Sequence, residues 1–114
     1  MNPKEYWGTE KKVLIIDIDG TICEDNTFPN YSGAKPFKKQ IEALHEIKGT
    51  HFIVLYTARY EADRPITEKW LKDNSVPYDR LIFGKLPYDF FIEWNSFRSI
   101  TSLVSNIICE EERL

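Results

Sequence analysis

The nine residues Val13-Leu14-Ile15-Ile16-Asp17-Ile18-Asp19-Gly20-Thr21 constrain this chain more than any other segment. Val, Leu and Ile in unbroken succession, closed by a glycine, predict a strand over residues 12–18 that is buried on both faces. Carboxylates are costly inside such an element unless they are paired, ligate a cation or stand at its exposed end. Residues i and i+2 of a strand project to one side, so Asp17 and Asp19 start out aimed at a single spot. Two acids converging at the tip of a buried strand suit a metal and phosphoryl site. A strand that merely ends in a polar turn would account for Asp-Gly. It accounts poorly for both acids directly after four aliphatic residues.

The 114 residues are enough for one domain, 1–114, with a single real core. Hydrophobic residues make up 42% and charged residues 29%, a globular rather than a disordered composition. No apolar run approaches the roughly 18 residues that a membrane span needs. The segment from Met1 to Lys12 is too polar for a secretory signal, so a cytoplasmic location is expected. Cys23 and Cys109 have no metal-ligand spacing and are expected to be reduced. A net charge of -3 argues against a nucleic-acid-binding module, which normally carries a basic surplus.

Beyond the first strand, residues 20–36 are rich in Gly, Asn, Pro and Ser and predict an irregular excursion. It begins beside the two acids, which makes 22–36 a candidate flap. Phe37, Ile41, Leu44 and Ile47 fall at helical spacing, and Gly49 ends that helix. His51–Tyr56 predicts a second strand ending at Thr57-Ala58-Arg59. A helix fits 65–73, with Pro65 in its first turn. Leu81-Ile82-Phe83 predicts a third strand before Gly84-Lys85, and Phe90-Phe91-Ile92 a fourth before Glu93. Phe97, Ile100, Val104 and Ile107 predict a closing helix. Strands alternating with helices imply an α/β, Rossmann-like three-layer sandwich with a mainly parallel sheet. Ligands of such sheets bind beyond the carboxyl ends of the strands, which is where Asp17, Asp19, Thr57, Lys85 and Glu93 fall.

These groups suit phosphoryl transfer. A carboxylate can attack phosphorus to form an aspartyl-phosphate, and a magnesium ion offsets the like-charge repulsion. Asp17 is the candidate nucleophile. Asp19 is the candidate acid for the leaving oxygen and base for the hydrolytic water. Thr57 would give a hydroxyl and a neighbouring backbone N–H to a phosphate oxygen, and Lys85 a point charge. Gly20, Thr21, Ala58 and Arg59 are candidate substrate contacts. Arg59 equally suits bracing Glu61 or Asp63. Singly, Thr57 also reads as a turn former and Lys85 as a solvated lysine.

The series Asp17-Ile18-Asp19-Gly20-Thr21, then Thr57, then Gly84-Lys85, resembles the haloacid dehalogenase-like (HAD) superfamily of phosphohydrolases. The likeness covers nearly the whole chain. No cap domain fits between Asp19 and Thr57 or between Thr57 and Lys85, so the chain looks like a capless member. Thr57-Ala58-Arg59, Trp70-Leu71, Val76-Pro77-Tyr78-Asp79 and Gly84-Lys85 are similar to small capsule or polysaccharide biosynthesis phosphatases. The resemblance implies Mg2+ held by Asp17, the backbone carbonyl of Asp19 and Glu93. It also implies a small phosphorylated metabolite, such as a sugar phosphate, as substrate, with no nucleic acid or membrane as partner. Glu93 stands eight residues after Lys85 where the family usually has the first of two acids, and Trp94 replaces the second. That departure motivates an alternative: a degenerate HAD-like protein that binds a phosphorylated ligand or partner without turnover. A receiver domain also combines acids, Thr and Lys at strand ends, but here the strand before Thr57 has no Asp at its tip. A capless site needs its flap or a neighbouring subunit to exclude water. Trp7, Tyr60, Tyr88 and Trp94 are candidates for contacts in a homo-oligomer, or for the monomer's own core.

Overall fold

The structure, a computed structural model, describes residues 1–25 and 28–112. Three parallel strands form its sheet: β1 (Lys12–Ile16), β2 (His51–Thr57) and β3 (Arg80–Phe83), side by side in chain order. The register sets Leu14 beside Ile53, Ile16 beside Leu55, and Leu55 beside Leu81. Partners in a parallel ladder share a face, so these side chains make one continuous apolar surface. A short helix α1 (Pro3–Trp7) precedes the sheet, α2 (Lys38–Ile47) and α3 (Arg64–Asp73) connect its strands, and α4 (Ile100–Glu112) follows.

The apolar stripe of α2 buries Ile41, Leu44 and Ile47. On α3, Thr67, Trp70 and Leu71 turn inward at i, i+3 and i+4. Ile100 and Val104 of α4 join the same cluster, with Ile16, Ile53, Leu55 and Leu81 of the sheet. One face of the sheet thus holds the core. The opposite face carries the half-exposed Phe52 and Tyr56 and the exposed Ile15 and Ile82. Part of it is covered by Trp7, whose ring lies 6.0 Å from that of Phe52.

The longer helices α2, α3 and α4 lie on one face, while the short α1 lies against the other. Strands placed in chain order send both helical connections over the same face. Reaching the other face requires a strand on the far side of β1, and the anticipated strand at 90–92 does not form. Residues 86–98 are irregular and exposed throughout. An apolar triplet becomes a strand only where a neighbouring edge pairs with it, and Pro87 and Asp89 on its approach disfavour extension into a longer one. The first strand also stops at Ile16 rather than residue 18, which leaves Asp17 and Asp19 just past its end. The N-terminal leader is helical: the Asn2 side chain accepts the Glu5 N–H at 2.8 Å, Pro3 opens the helix and Gly8, at φ 67°, closes it.

The 22–36 excursion is stapled rather than loose. The Glu24 N–H donates to the Lys35 carbonyl at 3.0 Å, and the Phe37 N–H to the Ile22 carbonyl at 2.8 Å. Ile22 and Cys23 are buried, and the Trp70 indole N–H donates to the Ala34 carbonyl at 2.8 Å. Asn26 and Thr27, at the centre of the candidate flap, lie outside the described residues. Among those described, no helix is long and apolar enough to cross a membrane.

Asp79 ties the lead-in of β3 to β2. One carboxylate oxygen accepts the Ile53 N–H at 2.8 Å and the other the Lys48 ammonium at 2.9 Å. Burial pushes this carboxyl up, but the Ile53 N–H and Lys48 outweigh it, and its pKa lies below the ordinary value. A depressed carboxylate stabilises the fold above its unfolded pKa of about 4, and that contribution is lost as pH falls through the native value. Asp79→Asn is therefore expected to lower the unfolding free energy at neutral pH by about 1.5–3 kcal/mol, the range for a hydrogen bond to a charged group. It should also flatten the loss of stability below pH ~4. Urea unfolding at several pH values reads both effects, and an unchanged pH dependence would refute the assignment.

Candidate functional site

The carboxyl ends of the three strands converge. Asp17 follows β1, Thr57 ends β2, and Lys85 comes two residues after β3. The Lys85 N–H donates to the Thr57 carbonyl at 3.0 Å, fixing the third strand's exit over the second. Gly84, at φ 89°, allows the turn that brings it there. The Lys85 ammonium then stands 3.7 Å from Asp17 Oδ2, while Asp17 Oδ1 accepts the Ile18 N–H at 2.8 Å. Burial pushes the Asp17 carboxyl above the usual carboxylate range. The Lys85 charge and the Ile18 N–H oppose that shift, and the Asp19 charge adds to it.

Asp19 is held from the opposite side. The Arg59 guanidinium forks onto its carboxylate, Nε to Oδ2 at 2.9 Å and Nη2 to Oδ1 at 2.7 Å. Arg59 is only 3% exposed. Its Nη1 donates to Thr67 Oγ1 at 3.1 Å, and the Tyr31 ring stacks 3.9 Å from the guanidinium carbon. Planar bidentate contact fixes direction as well as charge. Of the two uses anticipated for Arg59, bracing an acid is the one realised, but the acid is Asp19. Glu61 is taken by Arg64 at 2.6 Å. The guanidinium faces inward and is spent on protein partners rather than presented to a substrate.

Other expected contacts are also engaged internally. Thr57 is fully buried, and its hydroxyl accepts the Arg59 N–H at 3.1 Å, the turn-forming use of a threonine. The Gly20 N–H donates to the Cys23 carbonyl at 2.8 Å and the Thr21 N–H to the Ile18 carbonyl at 3.1 Å. These two residues, with Phe37, Gln40, Arg98 and Ser99, line a cleft of about 310 Å³. Ala58 is exposed at the tip of β2.

Glu93 is not brought to the site as the sequence predicts. It sits in the exposed 86–98 stretch, where its carboxylate accepts the N–H of Trp94 at 3.0 Å. It is not carried on a strand, although Phe91, two residues before it, stands 5.4 Å from the Lys85 ammonium. Among the described residues, no three His, Cys, Asp or Glu side chains converge as a metal-binding group. The expected ligand from Asp19 is its backbone carbonyl, and its carboxylate is taken by Arg59.

Sequence reasoning missed the supporting cast. Tyr31 lies in a segment read as loop, and Thr67 was hidden by its polarity, although its spacing to Trp70 and Leu71 places it on the inward stripe. The rings around Lys85 were also missed. Its ammonium lies 5.9 Å from the Tyr56 ring centroid, 4.9 Å from Tyr88 and 5.4 Å from Phe91.

The fold and site together describe a small α/β domain with an acid–lysine pair beyond the ends of a parallel sheet. Among solved structures, the chain is similar to a Vibrio cholerae protein described only as a structural-genomics target. Identity is 31% over 89% of this chain and 98% of that one, with a TM-score of 0.69. The chain belongs to the family of that Vibrio cholerae protein. Two structures of the Pnkp1/Rnl/Hen1 complex, one titled an RNA repair complex, share the fold at 23% identity and a TM-score of 0.56. There the match covers 89% of this chain but only 32% and 34% of the chains matched. No protein-family model matches the sequence, and no curated protein matches it.

The two arginines that hold acids make a contrast that can be measured. Arg59→Met removes a fork, a hydroxyl partner and a ring stack from the interior, and is expected to cost about 2–3 kcal/mol of unfolding free energy. Arg64→Ala, whose partners Glu61 and Glu68 are exposed, should leave the urea midpoint almost unchanged. Equal effects from the two would contradict the burial argument.

Proposed function

We propose that this chain is a magnesium-dependent phosphomonoesterase of the capless HAD-like type, cytoplasmic, acting on a small phosphorylated metabolite such as a sugar phosphate. The observation that carries the reading is the Asp17–Lys85 pair, drawn together from β1 and β3 at 3.7 Å, with Lys85 anchored on Thr57 between them. A carboxylate nucleophile needs to be ionised, held still and partly stripped of water. Asp17 is half-buried, fixed by the Ile18 N–H and accompanied by one cation.

In this reading Asp17 attacks phosphorus, the P–O bond to the leaving group breaks, and an aspartyl-phosphate forms. Asp19, aimed by Arg59, donates a proton to the leaving oxygen and then takes one from the water that releases phosphate. Lys85 offsets charge on the transferring group. The remaining oxygen donors, the Asp17 carboxylate and the Asp19 carbonyl, fit Mg2+, which keeps several waters and accepts one or two protein ligands. When bound, the ion would supply charge neutralisation between nucleophile and phosphate. The proposed ligand is a small molecule rather than nucleic acid or membrane.

A second reading rests on the displaced Glu93: a degenerate HAD-like protein that binds a phosphorylated ligand without turnover. Phosphate release from a panel of sugar phosphates, with and without magnesium, separates the two. Turnover that is abolished in Asp17→Asn, by roughly 10³-fold or more given a lost nucleophile, supports the enzyme. Turnover that survives the substitution ends that reading.

The pH dependence has a sign. In the metal-free protein the Asp17 carboxyl should titrate above the usual carboxylate range, because burial disfavours its charged form, and NMR of the side chain reads that directly. Lys85→Met removes the largest opposing influence and should move that metal-free titration to higher pH, while turnover with magnesium drops by roughly 10²-fold. Stability follows the same linkage. An acid raised on folding costs nothing below its unfolded pKa and penalises the native state above its folded value. Asp17→Asn should therefore raise the melting temperature at neutral pH while removing activity, a combination that a purely structural Asp17 would not give.

A further inference from the structure

Resting on that reading, we infer that the site selects monoesters whose leaving group carries a ring, stacked against Tyr88 and Phe91. Thirteen consecutive residues, Leu86 to Arg98, are exposed, yet Tyr88 and Phe91 in this stretch stand against Lys85. The Tyr88 and Phe91 rings lie 5.4 Å apart, tilted by 55°, and both stand within 5.4 Å of the Lys85 ammonium. With Tyr56 they leave the Lys85 side chain only 13% exposed. Each ring has one side toward the lysine and remains about half exposed, Tyr88 at 49% and Phe91 at 61%.

Exposed apolar surface contiguous with a charged site marks where the uncharged part of a ligand rests. Lys85 is the group proposed to meet the phosphoryl oxygens, so a leaving group that turns toward this stretch meets these rings. The wall that faces the lysine is made of the Tyr56, Tyr88 and Phe91 rings. It offers flat π-faces, which accept either a planar aromatic ring or the C–H face of a sugar. The shared chemistry is a ring face next to the phosphoester, and an acyclic leaving group gains nothing from it.

The experiment compares glycerol phosphate, phenyl phosphate and a hexopyranose 6-phosphate on the full chain with magnesium, for the parent, Tyr88→Ala, Phe91→Ala and Tyr88→Phe. In the parent, kcat/KM for at least one ring ester should exceed that for glycerol phosphate by roughly tenfold, as stacking on one aromatic side chain allows. The alanine variants should lose most of that preference through KM, and Tyr88→Phe should keep it. Whichever ring ester leads identifies aromatic stacking or sugar contact. A parent ratio near one, or a preference that survives both alanine substitutions, overturns the inference. Circular dichroism confirms folding, and if one alanine variant fails to fold, the other decides. Dissociation constants for the same three esters are measured by calorimetry. If none is hydrolysed, the phosphatase reading falls, and the inference stands or falls on the same ratio in binding. Equal affinities, or no binding of any ester, overturn it as well.

Discussion

A guanidinium removed from water must have its charge matched and its donors occupied, and the site depends on how this chain meets that demand. Arg59 is matched by Asp19, Thr67 and Tyr31, which come from the end of β1, from α3 and from the excursion before α2. Removing any partner leaves polar groups unsatisfied in a low-dielectric place, where the cost is greatest. One side chain therefore makes three otherwise separate segments agree on their positions. Asp19 inherits a fixed direction from that agreement, while Asp17, held by a lysine and a backbone N–H alone, stays accessible.

The two acids thus have different surroundings although they are two residues apart. Asp17 faces partial burial and one loosely placed cation, which leaves it reactive in principle. Asp19 is locked by a fork of short charged hydrogen bonds. The division of labour proposed for them, nucleophile and positioned proton carrier, rests on these unlike settings. Thr57 is a buried turn element whose hydroxyl accepts the Arg59 N–H and shapes the exit of β2.

Much of this was legible in the chain. Aliphatic runs at 13–16, 51–56 and 81–83 gave strands, and the 3.6-residue stripes on either side of β2 gave helices, because periodicity reports directly on burial. The convergence of Asp17, Thr57 and Lys85 followed from strand ends sharing one edge of a parallel sheet. What was not legible depended on long-range partners. Phe90-Phe91-Ile92 has strand composition, but pairing needs an available edge, and composition carries no record of that. Glu93 went astray with it. The inward turn of Arg59 was equally hidden, since an arginine suits a ligand or a brace and only the position of Asp19 decides between them.

The exposed stretch from 86 to 98 has a consequence for the end of the chain. Helix α4 is seated on α2, with Gln40 accepting the N–H groups of Ile100 and Thr101, yet it is joined to the sheet only by this unpacked connection. Its docking is in effect a binding reaction between two parts of one molecule, driven by high local concentration. The seat of this helix is therefore set by its own contacts, the Gln40 bonds and the burial of Ile100 and Val104, rather than by the exposed segment that leads into it.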